Sequence, residues 1–364
     1  MTTRRRFLLA AGLLAADLAL TLAARGNPGL VERLYSRGFF PRFAALVHLL
    51  FGWLPFSVAE LGLLTALLLL LRYLWLWLAE LRWLDPDDLL SWFAAALSRG
   101  AVAAMALHLA FLCSWGLNYY RLPLEELLGL TIAPTDAVEI AALVHDIGQL
   151  AAVEREAVGE DSAGVALLVE EAHSYLDCTW YELEGLSFLG GEQRLRAKPV
   201  LISPLMSYTF ITGFYFPYSG EANLNMNVPL FELPSTVTHE LAHLFGIARE
   251  DEANYLSWLQ SRQPQVAAEV AYSGSLRALV YTLNAAYRIL SAEEYAQLWQ
   301  ELSPAVVRDL NASRAFWDAY RGQVQTMAQQ INDDYLKSND QSDGVLSYDR
   351  FVDLLLAEWR SVPR

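Results

Sequence analysis

The chain has 364 residues, of which 54% are apolar, and its formal net charge at pH 7 is −15. This negative charge disfavours a nucleic-acid partner, because the phosphates would be repelled. The only two cysteines, Cys113 and Cys178, give no disulfide framework and do not indicate a redox compartment. Apolar residues are concentrated in the first third of the chain, which is typical of a membrane anchor followed by a soluble domain.

Three apolar segments are long enough to cross a bilayer, whose hydrocarbon core requires about 20 helical residues. They are residues 7–24, 58–78 and 101–117. A fourth apolar segment, residues 43–54, is too short to span and is predicted to lie at the interface or to pack on the other helices. The sequence therefore predicts a multi-pass protein with the lipid bilayer as a partner.

The basic start Arg4-Arg5-Arg6 predicts the orientation of this anchor. It matches a twin-arginine export signal, but it also fits a plain basic flank of a first transmembrane helix. We prefer the flank, because no small-residue cleavage site follows before Arg25 and two more spans come later. Three spans with a cytoplasmic N-terminus predict a plasma-membrane (inner-membrane) protein whose domain after Arg121 is extracytoplasmic.

The sequence predicts two regions, a membrane anchor at residues 1–121 and one α+β domain at residues 122–364. The domain is predicted to be mostly helical with a small β-sheet. Helical spacing of apolar residues predicts helices at residues 137–158, 163–176, 255–259, 275–290, 292–302 and 315–336, and residues 199–228 are rich in strand signals. Within them, Asn223, Asn225 and Asn227 alternate with apolar residues, which predicts a strand with one polar face.

The segment His239-Glu240-Leu241-Ala242-His243 is an HExxH motif on a predicted helix. Histidines four residues apart lie on one helical face, so both imidazoles can bind one metal ion. The neighbouring Glu240 can then act as general base toward a water molecule, as in zinc hydrolases. The alternative is an amphipathic helix with two incidental histidines.

A catalytic zinc ion normally has three protein ligands. No histidine follows His243, and a downstream third histidine is excluded because the corresponding position is Arg249. Carboxylates are the remaining candidates, at positions 250, 251 and 252. On one unbroken helix residue 250 would lie roughly 10 Å beyond His243, so we expect the chain to turn between them, at Gly246.

The run Glu250-x-x-Ala253-Asn254 resembles the Glu-x-x-Ala-Asp helix that supplies the third zinc ligand in gluzincin metallopeptidases. The resemblance implies Glu250 as the ligand and Asn254 as a supporting residue that accepts a hydrogen bond from a ligand imidazole. Asn254 stands where those enzymes have an acid, and Glu252 remains the rival ligand. An ordinary solvated helix start, favoured by the helix dipole, is the other interpretation of these acids.

Residues 115–121, 213–215, 220–222 and 239–254 together resemble a family of bacterial membrane proteins of unknown function. The resemblance covers nearly the whole chain and implies N-terminal spans followed by a zincin-like HExxH domain, but no substrate. In zincins an edge strand before the metal helix often pairs with an extended peptide. The strand bearing the three asparagines is in the right position for that role, although it equally fits an ordinary half-buried strand.

Two further patterns each have a functional and a structural interpretation. Residues 339–347 are similar to an EF-hand calcium loop, but Asn339 would be the first ligand and Arg350 replaces the terminal glutamate, so a polar turn is the stronger interpretation. Tyr272, Arg277 and Tyr281 follow the metal helix and are candidate donors to a substrate oxyanion, or else core residues.

These patterns predict a membrane-anchored zinc metallohydrolase, most specifically a metallopeptidase that acts on a peptide or protein substrate. His239, His243 and Glu250 would bind Zn²⁺, and Glu240 would move the proton. The alternative is a catalytically silent sensor or scaffold with the same fold, which the intact Glu240 argues against. A transporter is a weaker third interpretation, because few charges lie within the spans.

Overall fold

The computed structural model describes residues 1–168, 171–339 and 350–361. The chain divides into two units: unit 1 consists of Met1–Arg121 and Phe216–Gly220, and unit 2 consists of Leu122–Tyr215 and Glu221–Arg364. Most of the described residues are helical and the strands form small sheets, so the predicted α+β class is confirmed.

Unit 1 is helical. Its helices are α1 (Thr3–Arg25), α2 (Pro28–Leu30), α3 (Phe40–Phe51), α4 (Val58–Glu80) and α5 (Leu89–Ser114), and a π-helix at Val31–Phe39 joins α2 to α3. Among the described residues, three helical stretches are long and apolar enough to cross a membrane: Thr3–Arg25, Val58–Trp83 and Pro86–Ser114. Three spans were predicted. The third differs, because the predicted segment 101–117 covers only the second half of the helix and runs past its end at Ser114.

A buried polar cluster fixes the end of unit 1. The Arg121 guanidinium donates two hydrogen bonds to the Glu32 carboxylate of the π-helix, each 2.9 Å long, and both side chains are buried. The Ser36 hydroxyl donates to Asn118 Oδ1 at 2.9 Å. Two polar residues of the segment 115–121 therefore tie the residues after α5 to the π-helix.

Unit 2 packs its helices around one apolar core. The helices are α6 (Leu124–Leu128), α7 (Ala137–Arg155), α8 (Ser203–Ser207), α9 (Leu233–His243), α10 (Glu250–Ser261), α11 (Ala268–Ile289), α12 (Ala292–Glu301), α13 (Pro304–Asp318), α14 (Gln323–Ser338) and α15 (Arg350–Ser361). Ile140, Leu241, Leu256 and Leu279, from α7, α9, α10 and α11, are fully buried in this core. The predicted helix 315–336 is in fact two helices, α13 and α14. Residues 340–349, which hold most of the sequence similar to a calcium loop, lie outside the described residues.

The strands of unit 2 are short. They are β1 (Gly159–Glu160), β2 (Ala166–Leu167), β3 (Asp177–Trp180), β4 (Gln193–Arg196), β5 (Lys198–Pro199), β6 (Gly213–Phe216) and β7 (Glu221–Leu224). β1 pairs with β2 and β3 with β4, both antiparallel. The remaining three form a sheet in the order β5-β7-β6, in which β5 is parallel to β7. β6 is therefore an edge strand of this sheet and β7 its central strand.

The predicted helix at residues 163–176 is wrong. The chain instead forms the β1–β2 hairpin and a 3₁₀ turn at Ala172–Leu176. Asp161 Oδ1 accepts hydrogen bonds from the backbone N–H groups of Ala163 and Val165, and Gly164 has a left-handed φ of 74°. A side-chain acceptor that caps a turn and a glycine with positive φ outweigh the helical spacing of the apolar residues.

Candidate metal centre

Helix α9 presents His239 and His243 one turn apart inside unit 2. Every residue of the helix from Leu233 to His243 is buried, and Pro234 lies in its first turn, where the missing N–H has no intrahelical partner to lose. The two imidazole centroids are 5.1 Å apart and their planes are nearly perpendicular. The i, i+4 spacing of the motif therefore places both rings on one buried face.

The chain turns back after α9 and brings Glu250 to the same place. α9 ends at His243, Gly246 has a left-handed φ of 75°, and α10 begins at Glu250. Glu250 Oε2 lies 3.1 Å from His239 Nε2, and Glu250 Oε1 lies 3.7 Å from His243 Nε2. The turn predicted at Gly246 is confirmed, and the three side chains offer ligand atoms within 4.8 Å of one another.

Both imidazoles turn Nε2 toward the Glu250 carboxylate. His243 Nδ1 lies 2.6 Å from the backbone carbonyl of Ile247. A carbonyl only accepts, so Nδ1 carries a proton and Nε2 is the candidate ligand atom of this ring. Burial lowers the pKa of His239 to about 4, although the Glu250 carboxylate, as hydrogen-bond acceptor and negative charge, opposes this shift, so the ring is neutral at pH 7. Metal binding requires neutral imidazoles.

The donor set fits a zinc ion. Two imidazole nitrogens and one carboxylate oxygen are the ligands of many catalytic zinc sites, which keep a further position open. The Ile247 carbonyl on His243 is the kind of outer contact that orients a metal-binding imidazole. His239 Nδ1, in contrast, is buried with no hydrogen-bond partner. The residues therefore fit Zn²⁺ in the type and number of their donor atoms.

Glu240 lies beside this cluster with its carboxyl group out of solvent. The residue is buried, and its Oε2 has no hydrogen-bond partner. Burial first, and then the negative charge of Glu250, raises the pKa of Glu240 well above its usual value, while Arg277 opposes the shift. A carboxylate that binds its proton more tightly than usual is a stronger base than an exposed glutamate.

Strand β6 packs against this face of α9, a feature that the sequence reasoning did not assign. A Cβ atom on Gly213 would lie 2.6 Å from Glu240 Cγ and Oε1, so only a residue without a side chain leaves this carboxyl its place. Two residues on, the Tyr215 ring centroid lies 6.3 Å from that of His243. Gly213 and Tyr215, two residues apart on β6, therefore face Glu240 and His243, three residues apart on α9. In the sequence, only the pattern Gly-x-Tyr indicates this contact.

The three predicted oxyanion donors separate into two groups. Arg277 Nε donates to Asn254 Oδ1 at 3.0 Å, and Asn254 Nδ2 approaches the Tyr281 hydroxyl at 3.5 Å. Arg277 also acts electrostatically on Glu240 and His239. Asn254 therefore orients Arg277, in place of the predicted contact with an imidazole, because its acceptor atom is engaged by the guanidinium.

Tyr272 and Glu252 have other roles than those predicted. The Tyr272 hydroxyl donates to Asp309 at 2.5 Å within a buried network, so it is not available to a substrate. Glu252 Oε1 accepts from the Leu124 backbone N–H and from Arg249, both at 2.9 Å. That carboxylate anchors the start of unit 2. The structure therefore favours Glu250 over Glu252 as the third member of the group with His239 and His243, here called the metal cluster.

The three asparagines do not form a substrate edge. Asn223 lies on the central strand β7, and its amide donates to backbone carbonyls of Phe214 and Glu221. The Asn225 and Asn227 amides both donate to the Ser207 hydroxyl. These side chains hold the sheet and α8 together, because a polar face turned toward the interior needs internal partners. The edge nearest the metal helix is β6.

A chain of hydroxyl groups fastens α9 to its neighbours from behind. The Thr238 and Ser257 hydroxyls lie 2.6 Å apart, and Ser257 donates to the Ser235 carbonyl at 2.9 Å. The Ser235 N–H donates to Ser273 Oγ on α11 at 3.0 Å. These buried bonds fix the helix that carries both histidines, and such support is what a precise ligand geometry requires.

Comparison with known proteins identifies the family and leaves its activity open. No curated protein and no solved structure matches this chain. The family described as "Protein of unknown function (DUF3810)" matches residues 35–356, which include most of unit 1 and the whole metal cluster. The predicted resemblance to a family of unknown function with membrane-like helices at its N-terminus is confirmed. The chain therefore belongs to the DUF3810 family.

Proposed function

We propose that this protein is a membrane-anchored zinc-dependent metallohydrolase, and specifically a metallopeptidase. The observation that carries the proposal is the convergence of His239, His243 and Glu250 beside the buried carboxyl group of Glu240. A structural zinc site has no need of an additional acid next to its ligands. A site with three protein ligands and a buried base favours hydrolysis.

The two imidazoles and the Glu250 carboxylate would hold the metal. A bound Zn²⁺ supplies Lewis acidity toward a carbonyl oxygen and lowers the pKa of a water molecule to about 7. Glu240 accepts the proton of the attacking water and gives it to the leaving nitrogen. Arg277, fixed by Asn254, provides positive charge for the oxyanion that develops on the substrate.

Strand β6 supports a peptide as the substrate. It is an edge strand and Gly213 at its start touches the Glu240 carboxyl group. An extended peptide can add to such an edge through backbone hydrogen bonds, which position it without regard to its sequence. This alignment would bring a scissile amide alongside the proposed base.

Three membrane-length helices support anchoring in the plasma membrane. With a cytoplasmic N-terminus, an odd number of spans places unit 2 on the extracytoplasmic side. Reporter fusions after Arg364 test this orientation. Alkaline phosphatase should be active there and green fluorescent protein dark, and the reverse pattern would contradict the proposed topology.

Metal content and cleavage test the chemistry. The purified full-length chain should contain about one zinc per chain by mass spectrometry, and His239→Ala should remove it. Fluorescence-quenched peptide libraries then report turnover, with Glu240→Gln as the matched control that keeps the ligands. Absence of zinc would refute the proposal. The silent sensor or scaffold would be favoured if the parent and Glu240→Gln both bind zinc but cleave no peptide, and if cells with the parent and cells with the variant have identical membrane proteomes.

A further inference from the structure

The segment between Lys198 and Glu221 carries no charge. None of the 22 residues from Pro199 to Gly220 is Asp, Glu, Lys, Arg or His, in a chain of which 18% of the residues are charged. The two flanking charges pair with each other, since Lys198 Nζ lies 2.5 Å from Glu221 Oε1 and both side chains are buried. The segment, here called the uncharged excursion, therefore begins and ends at one buried ion pair.

The first part of this excursion, around α8, exposes large apolar side chains and buries two serines beside Met206. Leu201, Leu205 and Tyr208 are exposed by 84%, 65% and 48%, and they recur at the spacing of one helical face. On the opposite face Ser203 and Ser207 are buried. This order is the reverse of that on a soluble surface helix, where the apolar stripe faces the core.

The buried serines have specific partners, so the inversion is built into the fold. Ser203 Oγ accepts from the Met226 backbone N–H at 2.9 Å. Ser207 Oγ accepts from Asn225 and Asn227 at 3.1 and 2.8 Å and donates to the Asn227 carbonyl at 2.6 Å. Rotating this segment to bury Leu201 and Leu205 would break these hydrogen bonds. The apolar face is consequently held outward.

The last part of the same excursion belongs to the membrane unit. Phe216–Gly220 is assigned to unit 1, and the Tyr218 hydroxyl donates to the Leu107 carbonyl of α5 at 2.9 Å. Leu107 lies about 10 Å before the end of α5 at Ser114, within a candidate span. One uncharged stretch of chain thus contributes both an outward apolar face and a turn that contacts a membrane-length helix.

We propose that Leu201, Ile202, Leu205 and Tyr208, here called the α8 face, rest in the interfacial layer of the lipid bilayer. Leucine and isoleucine side chains suit the boundary of the acyl chains, and tyrosine suits the headgroup level. The lack of charge removes the desolvation cost that would keep other surfaces of this anionic chain away. Substrates that reach β6 would then be presented from the membrane surface.

The proposal rests on the membrane anchoring proposed above and is independent of the zinc chemistry. In the full-length chain with Cys113→Ala and Cys178→Ala, the fluorophore NBD is attached at Leu205→Cys. The protein is reconstituted in vesicles of phosphatidylcholine and phosphatidylglycerol, with or without lipids brominated in the upper acyl chain. Leu68→Cys in α4 is the control for the anchor, and Val138→Cys in α7, exposed by 78%, is the control for an apolar residue in water.

We expect brominated lipid to quench the labels at 205 and 68 and to leave the label at 138 unchanged. Quenching of the label at 68 alone would contradict lipid contact of the α8 face and support the membrane anchor. Quenching of neither label would contradict both proposals. Equal quenching at 205 and 138 also contradicts the proposal. If the label at 205 self-quenches without brominated lipid, increasingly as protein density rises, a second copy covers the face and the lipid assignment is wrong.

A second measurement uses the unmodified chain and does not depend on the cysteine variants folding. Lipids that carry a diazirine in the upper acyl chain are photolysed in the same vesicles, and adducts are mapped by mass spectrometry. Adducts within residues 201–208 and in α4, with none in α7, support the proposal. Adducts in α4 without any in 201–208 overturn it.

Discussion

Unit 2 contains two clusters of buried polar side chains that differ in how fully they are hydrogen-bonded. Asp309 accepts from Arg155 at 2.6 Å, from Tyr272 at 2.5 Å and from the Ala166 backbone N–H at 2.8 Å. In the metal cluster, His239 Nδ1 and Glu240 Oε2 have no partner. A saturated cluster stabilises the fold, whereas an open one costs stability and is retained for another reason. On the proposed function, the Asp309 network serves the fold, and the cluster with unpartnered atoms serves the metal ion and the substrate.

Glu240→Gln should separate activity from stability most strongly. The amide keeps the shape of the side chain and removes the base, so turnover of a cleavable peptide should fall by about 10²–10⁴-fold. Zinc content should stay at one per chain, and the unfolding temperature should not fall, because no hydrogen bond to Oε2 is lost. A variant as active as the parent would refute the role of Glu240.

Asp309→Ala should have the opposite profile. It leaves the buried Arg155 guanidinium without its carboxylate, so the free energy of unfolding should fall by about 3–5 kcal/mol, measured by denaturant titration of the detergent-solubilised chain. Zinc bound per folded chain should not change. Glu160→Ala is the matched control, because Glu160 also contacts Arg155 but its side chain is 55% exposed, and its loss should lower stability by no more than about 1 kcal/mol. Equal effects of the two variants would contradict the assignment.

Gly213→Ala should disturb the metal cluster at Glu240 without removing any functional group, and should leave the Asp309 network unchanged. The new Cβ would force the Glu240 carboxyl group to move by about 1 Å, and such a displacement lowers turnover by about 10²-fold. Zinc content should be retained. Gly159→Ala is the control in another strand, where a Cβ would meet its nearest atom at an ordinary 3.6 Å. If both variants are fully active, β6 does not position the base.

Glu250→Gln and Glu252→Gln compare two carboxylates on one helix. The first removes a charged oxygen from the metal cluster and should weaken zinc affinity by at least about 10–100-fold. The second alters the contacts with Leu124 and Arg249, so it should lower the unfolding temperature and leave zinc affinity almost unchanged. Parallel zinc titrations measure both. Loss of zinc by Glu252→Gln alone would move the ligand assignment to residue 252.

Local spacing in the sequence predicted most of the metal cluster. His239 and His243 share a helical face by their i, i+4 spacing, and the glycine at position 246 indicated the turn that brings Glu250 back. These relations involve residues within 11 positions of one another. The roles of Zn²⁺ and Glu240, and the division at residue 121, stay predictions.

Features that depend on distant pairing were not predictable in the same way. The alternation of Asn223, Asn225 and Asn227 with apolar residues predicted a strand, but β7 ends at Leu224 and includes only Asn223. Whether that strand is central or at an edge depends on where β5 and β6 pair. Likewise, only the packing of β6 on α9 gives Gly213 its contact with Glu240. At residues 163–176, the capping of a turn by Asp161 overrode a helical pattern. Non-local contacts decide such positions, and single-sequence patterns do not record them.

The buried pair of Lys198 and Glu221 has a consequence for how this protein can diversify. Because the pair holds both ends of the uncharged excursion together, chain added between them does not separate β5 from β7. The entropy of closing such a loop grows slowly, by about 0.6 kcal/mol for each doubling of its length. We therefore expect insertions within the excursion and away from α8, β6 and the turn at Phe216–Gly220 to leave the pairing of β5 with β7 intact.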